Sequence, residues 1–296
     1  SVTDVLRFAL SAAGVELRAP WGVLEIARRG GGFLLRAEGG ELCADAVIVA
    51  CGGMAGEKLG GVKDGYELLG SLGHSRTALR PSLVQITTDN AYPRALKGIR
   101  ADCALSLRRG KDVLSESAGE LQFTDTGVSG PAAFDLSRAV STAIGEKTEL
   151  CIDLLREYAE GEVAELLRAH RGRAPAELTA GDILTGALQN RLGRMVVKYA
   201  GVDGNRPIRE LTDRDISAVA RAAKSFMLPV RGTEGFAAAQ VTAGGIRTEE
   251  YDPRTMQSRI VPNLYACGEV LDVDGDCGGF NLQWAWASGR LAGKLL

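Results

Sequence analysis

The run "NLYACGEVLDVDGDCGGFNLQWAWASG" (263–289) constrains the fold more than any other part of the chain. An apolar strand runs into Gly268 and Glu269, and a glycine-rich loop then delivers the chain to a helix. In open α/β sheets ligands sit beyond the carboxyl ends of the strands, and bare backbone there lets a ligand approach closely. The first amides of the helix, around Asn281 and Leu282, have no intrahelical acceptor and carry about half a positive charge between them. Such an end suits a group that becomes anionic. A flavin isoalloxazine does so at its N1/C2 carbonyl edge on reduction, and its ribityl hydroxyls match a carboxylate acceptor such as Glu269 or Asp272. A lone glycine-rich loop is more often a surface turn with nothing bound. A second strand end shifts the balance: "AVIVACGG" (46–53) is apolar throughout, as a parallel strand covered on both faces must be, and it stops at Gly52 and Gly53. Two strand ends with bare backbone point to one shared ligand.

The remaining chain alternates in texture. "SVTDVLRFALSAAG" has helical apolar spacing and a glycine at its end. "VEL", "GVLEIARR", "GGFLLRAE" and "ELCADAVIVA" read as a β-meander with glycine turns that leads into the buried strand. From about residue 81 extended segments dominate, followed by a helix introduced by "SGP" and a strand "KTELCIDLL". Residues 155 to 224 read as helices, with a break near Gly193 and a Thr212 cap on the last. Sheet texture returns at "MLPVRG" and "AAAQVTAGGI", so the middle reads as inserted into an outer domain. The expected division is 1–80 and 241–296 for the outer domain, 81–154 and 226–240 for the β-rich insert, and 155–225 for the helices.

A net charge of -2 supplies no overall basic field for nucleic acid or a membrane surface, so neither is an expected partner; a small-molecule substrate is. Six cysteines without a C-x-x-C pair point to reduced thiols and the cytoplasm. With two histidines, His74 and His170, neither a zinc site nor a Ser-His-Asp triad is expected. No apolar run approaches the ~20 residues of a membrane span.

The strings "VIVACGG", "DGYELLGSLGH", "RPSLVQI", "GELQFTDTGVSGPAAFDLSR", "VTAGGI" and "TMQSRIVPNLYACGEVLDVDGDCGGFNLQWAWASG" occur in this order over nearly the whole chain. Together they resemble the aminoacetone-oxidase-like, YhiN/BaiN-type NAD(P)/FAD-dependent flavoprotein oxidoreductases. The resemblance implies an α/β fold: a glutathione-reductase-type FAD-binding domain, here incomplete, with an inserted β-barrel-like domain and a small helical domain. It implies FAD contacts at Ala50, Cys51, Gly52, Gly53, Gly268, Glu269, Asp272, Gly278, Gly279, Phe280, Asn281 and Leu282, and an adenine-side contact at Val23. It further implies hydride transfer through flavin N5 between a small organic substrate and NAD(P)H or another acceptor. No catalytic acid or base is named.

The family's G-x-G-x-x-G turn, which seats the FAD pyrophosphate on a helix N-terminus, has no counterpart in these 296 residues. "GGVKDGY" also stands where a threonine-glycine-aspartate-glycine loop is expected. The expectation is therefore a truncated form that binds FAD weakly or not at all, its small-residue helix face (Ala285, Gly289, Gly293) and open sheet edge covered by a second copy, by rearrangement or by disorder near the ends. The alternative is a non-catalytic ligand- or protein-binding fragment. A third reading, an RNA-modifying flavoprotein, is disfavoured by the near-neutral charge. Of the remaining residues, Cys277 and His74 read as structural rather than reactive, His74 as a helix-end group near the last carbonyls. Trp284 and Trp286 read as packing, and the "DTGVSGP" loop as a domain-joining turn or an anion-facing helix start.

Overall fold

The computed structural model of the protein describes residues 1–295. Ser1 caps helix α1 (Val2–Ala12): its hydroxyl accepts the Asp4 amide, the Asp4 carboxylate answers it, and Gly14 follows at φ +69°. No α1 residue is buried; Val2, Val5 and Phe8 are each more than 60% exposed. The expected strand at "VEL" does not form. Val15 and Leu17 are exposed and find no strand to pair with among the described residues. The meander does form: β1 (Val23–Arg29), β2 (Gly32–Ala37) and β3 (Gly40–Ala44) pair antiparallel in that order, with Gly30 at φ +60° in the first turn. Ile26 and Phe33 are buried in the core of this region. Next come β4 (Val47–Val49) and helix α2 (Asp64–Ser71).

Strand β5 (Arg80–Ser82) leads into six strands that close on themselves: β6 (Ile86–Thr88), β7 (Arg100–Arg109), β8 (Asp112–Phe123), β9 (Gly127–Ser129), β10 (Glu149–Asp153) and β11 (Phe226–Thr233). Closure removes the unpaired edges an open sheet would present. Helix α3 (Pro131–Thr142), between β9 and β10, has Pro131 at its first turn, where a missing N–H costs nothing. Ala132, Ala133, Leu136 and Val140 form its buried stripe at helical spacing, facing the barrel. The "DTGVSGP" loop is thus part barrel strand and part helix start.

Between β10 and β11 lie α4 (Glu160–Arg173), α5 (Asn190–Tyr199) and α6 (Asp213–Lys224). Thr212 caps α6, accepting the Asp215 amide at 3.2 Å while Asp215 answers to the Thr212 amide at 2.9 Å. The helical break falls earlier than Gly193, which sits buried inside α5. A Cβ at Gly193 would lie 3.1 Å from that of Leu184, so glycine there permits close packing rather than ending a helix. One core joins these helices to the barrel through Leu121, Phe123, Leu150, Leu167, Val196, Val219 and Phe226. Each fully buried aliphatic or aromatic side chain of this kind contributes roughly 1.5–3 kcal/mol.

The chain returns through β12 (Val241–Ala243), antiparallel to β5, and β13 (Leu264–Ala266), and ends in helix α7 (Phe280–Ala292). β13 runs parallel to β4 in the register Leu264↔Val47, Tyr265↔Ile48, Ala266↔Val49. The strands leading to Cys51 and Gly268, far apart in the sequence, are neighbours as expected. A second core, with Ile26, Phe33, Val47, Val49, Leu69, Leu264, Ala266 and Val270, holds this outer region. β4 departs from expectation in one respect. Val47 and Val49 are buried but Ile48 is 39% exposed, so the strand is covered on one face only. No helix among the described residues is long and apolar enough to cross a membrane.

Candidate functional site

The carboxyl ends of β4 and β13 meet through side chains. The Glu269 Oε1 accepts the Thr242 amide at 2.9 Å, and the Thr242 hydroxyl accepts the amides of Met54 and Ala55 at 2.9 and 3.0 Å. Gly53 leaves the space these groups fill: a Cβ there would lie 2.3 Å from Glu269 Oε1 and 2.6 Å from Thr242 Oγ1. Beyond β13, Gly268 takes φ +74°, donates its amide to Ser288 Oγ at 2.9 Å and accepts Trp284 Nε1 at 3.0 Å. Helix α7 is thereby fastened to the strand end it follows. Thr242, Trp284 and Ser288 were not among the candidate contacts; the string "VTAGGI" carries Thr242, but its partner lies 27 residues further on.

The loop between β13 and α7 is closed by Asn281, whose side chain accepts the Gly275 amide and donates to the Gly275 carbonyl, both at 2.9 Å. Gly278 and Gly279 take φ +135° and +92°, conformations that glycine adopts without strain. The amides of Asn281 and Leu282 have no acceptor among the described residues, and Phe280 and Leu282 beside them are 63% and 68% exposed. Neither Gly52, at φ +74°, nor Gly279 would bring an added Cβ within 4 Å of another group. Both present open backbone, the kind of cradle a flat ligand needs. The Asp272 side chain makes no hydrogen bond or ion pair with the described residues.

Val23, Ala50 and Cys51 line one apolar cleft of about 270 Å³, together with Ile26, Val47 and Ile48. The structure thus gathers Val23 to Cys51 at the cleft, Gly52, Gly53, Gly268 and Glu269 at the strand ends, and Gly278 to Leu282 at the helix start. Cys51 is exposed as a residue, but its sulfur packs against Gly65, and that local desolvation, with the Asp64 charge adding to it, pushes the thiol up; burial pushes the Cys267 thiol up as well. Both are held as thiols rather than as nucleophilic thiolates.

Three expectations are corrected. His74 does not serve the last carbonyls of α2. Its ring is buried, with Nδ1 2.7 Å from Glu250 Oε2 and Nε2 3.0 Å from Ser258 Oγ, because a buried imidazole needs partners for both nitrogens. Trp284 packs as expected, but Trp286 is 52% exposed, since it lies off the face that Trp284, Ser288 and Ala292 turn inward. The small-residue face is only partly open: Ala285 faces Gly268, and Gly289 faces Cys267, of this same chain. Cys277 is half-buried, with its amide donated to Asp135 Oδ1 at 2.7 Å.

Burial raises the Glu269 carboxyl above its usual range, with Thr242 hydrogen bonds offsetting part of the effect and Asp274 adding to it. The folded state therefore binds more protons than the unfolded state just above the ordinary value of 4.5, and stability falls as pH rises through that window. Glu269→Gln keeps an acceptor for Thr242 and removes the buried charge. The variant is expected to melt above the parent at pH 7.5, with the gap closing by pH ~4; parallel melting curves across that range would contradict the assignment.

The model of the HI0933-like protein Rossmann domain matches residues 1–295. A 3-dehydro-bile acid delta(4,6)-reductase of Clostridium scindens is 36% identical over 296 residues, 99% of this chain and 72% of the relative. A ribosomal RNA dihydrouridine synthase of Escherichia coli is 30% identical over 293 residues, 97% of this chain and 69% of the relative. The latter is named for an RNA substrate, so nucleic acid is not excluded as a partner and the expectation of none is withdrawn. The match across residues 1–295, with relatives 36% and 30% identical over nearly the whole chain, makes this protein a member of the HI0933-like Rossmann-domain family of flavoprotein oxidoreductases.

Proposed function

We propose that this chain forms the isoalloxazine side of an FAD-dependent oxidoreductase acting on a small organic substrate, with NAD(P)H or another acceptor as the second redox partner. The observation that carries this reading is the pair of unbonded amides at Asn281 and Leu282, set by a closed glycine loop at the carboxyl end of a parallel strand pair. Bound FAD would supply hydride transfer at its N5. The chain's own residues bind and orient. The amides of Asn281 and Leu282 offer donors and a helix N-terminus to a pyrimidine edge that gains negative charge. Asp272 and Glu269 offer carboxylates toward ribityl hydroxyls, and Gly52, Gly53, Gly268, Gly278 and Gly279 keep side chains out of the way. Ala50 and Cys51 continue this surface to the apolar cleft, where Val23 stands on the adenine side. Exposed Phe280 and Leu282 supply apolar contact that a ring system would cover.

A small organic substrate is favoured by the higher identity to the bile acid reductase; the ribosomal RNA relatives make an RNA base the second reading. Nothing here requires the chain to act alone, and a non-catalytic role is disfavoured by the open cradle.

Titration of the 296-residue chain with FAD, followed by flavin fluorescence, tests the reading. These residues contain no G-x-G-x-x-G turn, so binding is expected to be weak, with a Kd on the order of 100 µM. Gly279→Val should weaken it roughly tenfold. The new side chain meets nothing of the protein, but a β-branched residue at φ +92° costs about 1–2 kcal/mol and shifts the helix start. No fluorescence change up to millimolar FAD, or an unchanged affinity in the variant, counts against the site.

A further inference from the structure

The loop from Val273 to Gly279 carries three glycines and makes few bonds of its own, yet helix α3 of the barrel holds it at two points. Asp135 Oδ1 accepts the Cys277 amide at 2.7 Å. Arg138 Nε lies 2.8 Å from Asp274 Oδ2, and the Asp274 side chain is only 6% exposed, so its charge is neutralised by a residue from another part of the fold. Asp135 and Arg138 are three residues apart on one helix and therefore face the same way. Their platform is rigid: α3 buries Ala132, Ala133, Leu136 and Val140, while Ser137 Oγ accepts the Val84 amide at 3.2 Å and Ser141 Oγ donates to the Pro81 carbonyl at 2.7 Å. Cys277 stands two residues before Gly279, the residue from which α7 starts.

We infer that Asp135 and Arg138 are positioning residues, a clamp by which the barrel fixes the loop and so sets the Asn281 and Leu282 amides for the flavin. The inference rests on the proposed flavin site and assigns to the barrel a part in building it. A glycine loop without such restraint samples many conformations, and each would have to be given up on binding. The clamp fixes them beforehand. The same two side chains line a polar cleft of about 460 Å³ with Ser115, Thr142 and Asp276, so a molecule bound in that cleft would touch the clamp directly.

The test compares Asp135→Ala, Asp135→Asn and Arg138→Ala with the parent chain, by amide hydrogen exchange of peptides covering 272–281, by FAD titration and by thermal melting. Asp135→Ala and Arg138→Ala are expected to exchange at least fivefold faster in the loop and to lose roughly tenfold in FAD affinity, because a charge-assisted bond is removed in each. The melting temperature of Asp135→Ala should stay near the parent's, since α3 keeps its buried stripe, whereas Arg138→Ala should melt lower because it leaves the nearly buried Asp274 carboxyl unpaired, so the positioning role is judged on Asp135→Ala and Asp135→Asn. Asp135→Asn retains an oxygen for the Cys277 amide and should restore both exchange protection and affinity. Faster exchange with unchanged FAD affinity would overturn the positioning role and leave the flavin site standing. Unchanged exchange would overturn the clamp itself. If the parent chain fails to bind FAD while its loop is protected, the flavin reading fails and the positioning role with it.

Discussion

Gly53→Ala is expected to destabilise the chain by about 3 kcal/mol in urea unfolding, well beyond the cost of a typical surface substitution. The new Cβ would fall 2.3 Å from Glu269 Oε1, 2.6 Å from Thr242 Oγ1 and 2.9 Å from Thr242 Cβ. The carboxylate could swing aside, but only by giving up the Thr242 amide, a charged hydrogen bond worth about 1.5–3 kcal/mol. Thr242 cannot yield cheaply. It is 1% exposed, lies in β12, and holds the Met54 and Ala55 amides on its hydroxyl. Gly52→Ala is the control: φ is +74° but nothing lies within 4 Å of its Cβ, so only backbone strain of about 1–2 kcal/mol applies. If the two variants cost the same, the packing assigned to Glu269 and Thr242 is wrong. The comparison also bears on function, because Gly53 and Glu269 are both placed at the candidate flavin surface, and Gly53→Ala alone should displace the carboxylate.

Local chemistry made much of this fold legible. Pro131 after "SG" started α3, Thr212 and Asp215 started α6, and glycine turns divided the meander, because caps and turns depend on residues within three or four positions. The parallel pairing of β4 with β13 was legible for another reason: each is an apolar run that stops at glycine, the pattern of neighbouring strand ends in an open α/β sheet. What escaped was the set of partners brought together by distant parts of the chain. Thr242 serves Met54 across 188 positions, Asp135 serves Cys277 across 142, and His74 meets Glu250 across 176. No periodicity or spacing encodes such pairs. Gly193 was misread for the same reason: it read as a helix breaker, whereas the approach of Leu184 explains it. Trp286 and Ile48 were expected inside and lie exposed, since an apolar residue type does not guarantee that something covers it.

Replacing His74 with alanine is expected to cost on the order of 3 kcal/mol and to alter the acid limb of the stability curve. The ring has no exposed surface, stacks on Tyr251 with centroids 4.8 Å apart, and bonds at both nitrogens. Ser258 Oγ already accepts the Ile260 and Val261 amides at 3.0 and 2.8 Å, so its proton is directed to Nε2, and Nδ1–H donates to Glu250. Removing the ring therefore takes one donor from the Glu250 carboxylate, leaves the Ser258 hydroxyl proton without its acceptor, and opens a hole beside Tyr251. Burial alone would raise the Glu250 carboxyl, but the bonds from Ser75 and His74 outweigh it and hold the group below its usual 4.5. A carboxyl lowered in this way contributes stability that is complete above its unfolded value and is lost as pH falls through the folded one. The parent should thus lose this contribution below pH ~4.5, whereas His74→Ala and Glu250→Gln should show a shallower acid limb. A loss below ~1 kcal/mol in His74→Ala, or an acid limb as steep as the parent's, would rule out this role. Glu250, Tyr251 and Ser258 all belong to the segment between β12 and β13. Holding that segment to the end of α2 fixes where β13 begins, and with it the position of Gly268 and Glu269 at the candidate flavin surface. His74→Ala should therefore weaken FAD binding as well, from a residue that lines neither the apolar cleft nor the glycine loop.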